Sequence, residues 1–189
     1  MVRTSHAFED DGVYLVDPVD AVNLDDKLDE YEEVKGIVLL FDRHLRDSEE
    51  LAEKYSCPVY ISEWLEKSVD AEVIEVEEGI PGTDWRLINA IDTFTGREAG
   101  LYHEKSGTLI VADALGTVGM FCGRGEKLGL NPLYRLHPPK NLLNYDLERI
   151  FCGHGEGIQE NTESTLKNTM SKARRKTPSA YFKAVKSLL

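Results

Sequence analysis

The stretch that most constrains the fold runs from Gly36 to Glu53 and reads GIVLLFDRHLRDSEELAE. Within it, Ile37 to Phe41 is an unbroken apolar run, short and β-prone, which is typical of a strand buried on both faces. The run stops at Asp42, and a polar segment leads into a helix for which Asp47 and Glu50 predict a capping box. A buried strand, a polar loop and a helix in this order predict an α/β protein, with the loop at the strand ends where ligands usually bind.

Two later segments also place a reactive side chain at a predicted strand end. Thr108 to Ala112 forms a predicted hairpin with Leu101 to His103, and this hairpin delivers Asp113. Ile150 to Cys152 is a short predicted strand that presents His154 between two glycines. A histidine flanked by glycines has no surrounding core to pack in, so a ligand or catalytic role and a packing role remain open alternatives.

Together these segments resemble the metallo-β-lactamase fold, in particular its glyoxalase II-like hydrolases. That family carries His-x-His-x-Asp-His on the loop after its buried strand. This chain places Asp42, His44, Arg46 and Asp47 in those four positions, so only one residue matches. The resemblance is therefore closer in layout than at the metal-binding positions.

The other family positions follow in the expected order. By resemblance, Asp113 corresponds to the metal-bridging aspartate and His154 to the last histidine ligand. Phe94 stands where the family's third histidine belongs. Asp17 corresponds to an aspartate that supports the metal loop, and a turn-starting role before Pro18 is the equal alternative.

The resemblance implies an α/β fold: a four-layer αβ/βα sandwich of metallo-β-lactamase type, with two mixed β-sheets flanked by helices. One domain is expected to cover residues 1–189. The segments Glu72 to Val76 and Trp85 to Ile91 are expected in the second, more antiparallel sheet. Helices are predicted from Asn23 to Val34 and from Thr177-Pro178 onward, since proline suits the first helical turn.

Arginine at position 46 decides the metal chemistry. A guanidinium stays protonated in proteins and offers no lone pair, so Arg46 cannot ligate a metal and would pair with Asp113 or Asp47 instead. We therefore expect the dinuclear zinc centre to be lost and no metal cofactor to be bound. In this interpretation no catalytic residue is assigned, and the site is lined by Arg46, Asp47, Phe94 and Asp17. The alternative is a single Zn, Mn or Fe ion on mixed oxygen and nitrogen ligands, namely Asp42, His44, Asp113 and His154.

Two functions follow from these two interpretations. A protein without the metal centre would be a small-molecule binding or regulatory protein, with an anion favoured by Arg46. A protein with one remaining ion would be a hydrolase of an ester or phosphoester. The glycine-rich segment 116–129 does not match a phosphate-binding loop, and Arg124, Arg135 and His137 in or beside it are either anion contacts or ordinary surface residues.

Composition limits the remaining classes of partner. With 189 residues, 41% of them hydrophobic, and a net charge of −12, the chain is expected to be a soluble acidic protein that does not bind nucleic acid. Polar sequence after Met1 and the lack of a long apolar stretch predict a cytoplasmic protein without a membrane contact. No Asp or Glu follows Glu163, whereas seven Lys and Arg residues do, so a basic tail that touches an acidic partner or nucleic acid is the weaker alternative. The apolar face from Tyr181 to Leu189 fits packing on the body or on a second copy equally well.

Overall fold

The computed structural model describes residues 3–31, 33–41, 45, 47–65, 69–94 and 96–188, with residues 183–188 as backbone alone. Within these ranges the chain forms eleven strands, three α-helices and two 3₁₀ helices. The strands are β1 (His6–Glu9), β2 (Val13–Val16), β3 (Val34–Leu39), β4 (Val59–Ser62), β5 (Val73–Val76), β6 (Trp85–Thr93), β7 (Gly96–His103), β8 (Thr108–Val111), β9 (Leu115–Gly116), β10 (Gly129–Leu130) and β11 (Arg149–Cys152). The helices are α1 (Leu24–Leu28), α2 (Ser48–Tyr55), α3 (Thr162–Leu188) and 3₁₀ helices at Pro132–Tyr134 and Lys140–Asn144.

The first sheet has five strands in the order β1-β2-β3-β4-β5. β1 and β2 form an antiparallel hairpin, and the remaining neighbours are parallel. β3 lies in the middle, and its apolar run from Ile37 to Leu40 is completely buried, as the sequence predicts for a strand covered on both faces. The parallel strands therefore bring the carboxyl ends of β2, β3 and β4 to one edge.

The second sheet has four strands in the order β11-β8-β7-β6. β6, β7 and β8 are antiparallel neighbours, whereas β11 pairs with β8 in parallel. A short antiparallel ribbon of β9 and β10 lies beside it. Both main sheets are therefore mixed, as predicted.

Successive side chains of the second sheet point to opposite faces and so belong to two separate hydrophobic cores. The cross-strand partners Leu101 and Ile110 belong to the core that includes both sheets, whereas Tyr102 and Leu109 belong to the core on the opposite face of the second sheet. α2 contributes Leu51 to the first core. α3 covers the second core with Leu166, Met170 and Ala173. The layers are thus helix, sheet, sheet and helix, which confirms the predicted α/β sandwich.

Two segments depart from the prediction in the first half of the chain. The helix predicted from Asn23 to Val34 ends at Leu28, because Val34 pairs with Val13 in the parallel ladder and begins β3. The strand predicted at Glu72 to Val76 lies in the first sheet, parallel to β4, and not in the second. In both cases strand pairing across the sheet decides the structure, and local pattern does not reveal it.

The C-terminal helix also departs from the prediction. α3 begins at Thr162 and contains Pro178, which the sequence assigned to the helix start. Proline removes an intrahelical hydrogen bond, here the one to the carbonyl of Arg174. Ala173 and Ala180 lie on either side of it and are completely buried, so packing maintains the helix through the proline. In the part of the chain that the structure describes, no helix is both long and apolar enough to cross a membrane.

Candidate functional site

Asp113 and His154 lie side by side at the ends of two neighbouring strands. β8 and β11 are parallel, with Val111 opposite Cys152, and each strand is followed two residues later by one of the two side chains. His154 Nε2 lies 2.9 Å from Asp113 Oδ1. The side chain of His154 is 6% exposed and that of Asp113 is 20% exposed, so the pair lies at a largely covered rim.

Two glycines are required for the turn that carries His154. A Cβ at Gly153 would lie 2.6 Å from the carbonyl oxygen of Ala112, so only glycine fits against this strand end. Gly155 has a φ of +102°, and a Cβ there would overlap the hydroxyl of Thr117. The Gly-His-Gly motif therefore has a direct structural reason.

One contact holds the imidazole of His154 and another holds its backbone. The ring of Phe121 stacks on it with centroids 5.4 Å apart. The backbone N–H of Thr117 donates to the carbonyl of His154 at 3.0 Å. Because the ring and its backbone are both fixed, His154 can meet Asp113 without a large loss of side-chain entropy.

A buried carboxylate, Glu98 on β7, fixes the position of Asp113. Its Oε1 accepts the backbone N–H groups of Ala112 at 2.9 Å and Ala114 at 3.0 Å, and its Oε2 accepts that of Asp113 at 3.0 Å. The residue is completely buried. Sequence reasoning missed Glu98, although a carboxylate directly before the apolar segment of a strand was a usable signal.

The electrostatics of Glu98 reflect this burial. Removal from water raises the pKa of its carboxyl well above the usual value, while the N–H groups of Ala114 and Asp113 lower it. The carboxylates of Asp113 and Asp17 raise it further. The next residue, Ala99, donates its N–H to the carbonyl of Leu40 at 2.8 Å, so this strand also ties the two sheets together at the site.

Asp17 fixes the end of β3 in a similar way. The residue is 3% exposed, and its Oδ1 accepts the N–H of Leu40, the residue that follows β3, at 3.0 Å. Its own N–H donates to the carbonyl of Val38 at 3.0 Å. The backbone of Asp17 has a φ of +45°, an uncommon conformation that aspartate tolerates better than most residues. These contacts fix the end of the buried strand, and the support of a metal loop by Asp17 stays a prediction.

The side chain of Asp47 does not cap α2 in the predicted way. It is the N-cap residue of α2, but its side chain makes no capping hydrogen bond, so the predicted capping box is wrong. Its Oδ2 instead accepts the N–H of Asp20 at 2.7 Å. The Asp47 carboxylate thus bonds to the segment after β2, and not to the N–H groups at the N-terminus of α2.

Among the remaining predicted site residues, Phe94 is the one that the structure describes. Phe94 lies at the tip of the β6–β7 hairpin, at the same end of the sheet as Asp113, and its side chain is fully exposed. Asp42, His44 and Arg46 lie outside the described residues.

Asp113 and His154 supply two of the donors that a metal ion needs. Ligand atoms about 2.1 Å from one ion and at a right angle are about 3 Å apart, so the observed separation fits two ligands of a shared ion. Among the described residues, no group of three or more His, Cys, Asp or Glu side chains is placed to hold a metal. Completion of a site would therefore depend on Asp42 and His44.

Arg135 is not available to an anionic ligand. Its side chain is completely buried and makes a two-pronged ion pair with Glu126, whose side chain is 4% exposed. The same guanidinium donates to the carbonyl of Phe121, the residue that stacks on His154. Arg135 thus fixes the glycine-rich segment to the body behind the site.

Comparison with known proteins identifies the fold. No protein-family model and no curated protein matches the sequence. Among solved structures, TTHA1623 in a di-iron-bound form has a TM-score of 0.61 and 20% identity over 86% of this chain and 92% of that chain. A metallo-β-lactamase superfamily protein from Sulfolobus tokodaii has a TM-score of 0.62 and 13% identity over 90% of this chain and 79% of that chain.

A third structure agrees with these two. The metallo-β-lactamase from Pontibacter korlensis has a TM-score of 0.59 and 14% identity over 89% of this chain and 85% of that chain. At these identities the likeness concerns the path of the backbone and not the chemistry. The chain has the metallo-β-lactamase fold.

Proposed function

We propose that this chain is a metallo-β-lactamase-fold protein that has lost the dinuclear centre and binds a small molecule at the rim formed by Asp113 and His154. The observation that carries the proposal is the hydrogen bond between Asp47 and the N–H of Asp20. Asp47 stands at a second-metal position by resemblance, and its carboxylate already has a structural partner. With Arg46 unable to ligate and one oxygen of Asp47 engaged by a backbone N–H, the second position depends chiefly on Asp113 and His154.

The remaining pair is suited to binding. Asp113 is held by Glu98 through the backbone, and His154 is held by its glycine turn and by Phe121. A polar pair fixed in this way loses little entropy when a ligand binds. Arg46, which by resemblance belongs to the same site, would add a cation that pairs with a carboxylate or phosphate group, so an anionic ligand and a regulatory role are proposed.

Metal content tests the proposal directly. The untagged protein is incubated with Zn, Mn or Fe, desalted and measured by elemental analysis, alongside Asp113→Ala and His154→Ala. His137→Ala is the matched control, because His137 is an exposed histidine outside the predicted ligand set. We expect metal well below one equivalent in all four proteins. Stoichiometric metal that is lost only in the two site variants would contradict the proposal.

The second candidate is a hydrolase with one metal ion. The 2.9 Å separation between His154 Nε2 and Asp113 Oδ1 favours it, since two ligands of one ion lie at about this distance. Asp42 and His44 would complete the ligand set, and a bound ion would supply Lewis acidity toward an ester or phosphoester. One equivalent of Zn, Mn or Fe together with ester or phosphodiester hydrolysis, both lost in Asp113→Ala, would establish it.

A further inference from the structure

A groove lies away from this pair, along the outer edge of the second sheet. It has a volume of about 710 Å³ and runs between the carboxyl half of β6, the segment 137–141 and one residue of α3. β6 is an edge strand of its sheet. The volume falls in the range of about 300–1,000 Å³ that is typical of small-molecule sites. None of the described residues that line the groove belongs to the Asp113 and His154 site.

The groove concentrates positive charge on an acidic protein. Three basic side chains line it, His137, Lys140 and Arg174, and all three residues are exposed. The carboxylate in the lining, Asp92, lies 3.4 Å from Nε of Arg97 and therefore already faces a cation. In the described part of the chain, neither Lys140 nor Arg174 forms an ion pair with a carboxylate. A chain of net charge −12 thus presents two cations to one groove, one from the segment 137–141 and one from α3.

Backbone contacts fix the shape of the groove. The side-chain amide of Asn141 donates to the carbonyl of Asn89 on β6 at 2.6 Å, which joins the two walls. Nε of Arg174 donates to the carbonyl of Leu136 at 2.9 Å. This bond uses one of the five guanidinium N–H groups, so the others remain as donors. The groove is therefore formed before a ligand arrives, which lowers the entropic cost of binding.

The lining combines charge with an apolar floor. Pro138, Pro139 and Ile91 supply apolar surface beside the cations. A planar guanidinium matches two oxygens of a phosphate group, and a lysine ammonium neutralises the second charge. A carboxylate ligand would leave one of the two cations without a partner.

We infer that this groove binds a small organic phosphate, with Arg174 and Lys140 on the phosphate and the two prolines beside the organic part. His137, which also lines the groove, adds a third polar contact. The inference does not rest on the proposed function, since the two sites have separate lining residues. An extended acidic peptide along the β6 edge is a different ligand class, and titration with a polyglutamate peptide distinguishes it from a phosphate.

The experiment is a titration of the ¹⁵N-labelled full chain at constant ionic strength, followed by backbone amide shifts. The probes are inorganic phosphate, phenyl phosphate and benzoate. We expect saturable shifts in residues 89–93 and 137–141 with both phosphates, tighter binding of phenyl phosphate, and weaker binding of benzoate. Equal affinity for benzoate, or tighter binding of a polyglutamate peptide than of phenyl phosphate, would overturn the assignment to a phosphate.

Variants locate the site. Lys140→Ala and Arg174→Gln are each expected to weaken phenyl phosphate binding about tenfold, which corresponds to the loss of one charge-assisted contact. Arg175→Gln is the matched control, because Arg175 is exposed on the same helix and does not line the groove. Equal binding by the wild type and Lys140→Ala, or equal weakening in Arg175→Gln, would refute the inference. Asp113→Ala should bind phenyl phosphate normally, so a failure of the proposed function remains distinguishable.

Discussion

Replacement of Glu98 by alanine tests how the rim is held in place. The substitution removes the acceptor for three backbone N–H groups, those of Ala112, Asp113 and Ala114. A buried donor without a partner costs about 1–3 kcal/mol, and water that enters the vacated space moves each cost toward the low end. Burial of the Glu98 carboxyl is itself unfavourable, since it raises the pKa of this group. Removing the carboxyl therefore offsets part of the lost stability. We therefore expect a loss of about 3 kcal/mol, against a total stability of about 5–15 kcal/mol.

Urea unfolding at pH 7, followed by circular dichroism, measures this loss. Glu98→Gln is expected to lose less, because one oxygen still accepts N–H groups while the amide faces the third donor. Glu104→Ala is the matched control, since Glu104 follows the same strand and its side chain is 74% exposed in an ion pair with Arg86. A Glu98→Ala variant as stable as Glu104→Ala would refute the account of the rim.

Three further results are expected. Burial raises the pKa of the Cys57 thiol to about 11, so at pH 8 the folded protein should show negligible reaction of this thiol with a disulfide reagent, whereas the urea-unfolded chain should react readily. Arg135→Met should cost about 3–5 kcal/mol of stability in urea unfolding, because it leaves the buried charge of Glu126 unpaired, and Arg135→Met with Glu126→Met should regain much of it. Gly155→Ala should lower the melting temperature, because its positive φ and the overlap with Thr117 both oppose a Cβ, while Gly119→Ala, with open space around it, should not.

The site could be predicted where it depends on strand ends. Asp113 and His154 each follow a short apolar strand, and parallel neighbours bring such ends together, so the spatial pairing followed from local pattern and from the resemblance. Glu98 could not be assigned a role in this way, because its three hydrogen bonds cross from one strand to the end of the next. The helix through Pro178 was missed for a related reason, since the buried alanines that support it pack against distant segments.

The competition for Asp47 illustrates the same limit. The sequence offered a complete capping box, but the carboxylate bonds to the N–H of Asp20, 27 positions away. A local motif predicts which hydrogen bonds a side chain is able to form. The fold decides which of the possible partners lies close enough to form one. This competition also bears on function, because it occurs at a position where the resemblance would expect a metal ligand.

The most direct test of the lost dinuclear centre is calorimetric titration of zinc into the chelator-stripped protein at pH 7. The account predicts no binding site of submicromolar affinity, and the same weak heats for Asp113→Ala as for the wild type. One or two zinc ions bound per chain with submicromolar affinity, and their loss in Asp113→Ala, would contradict it.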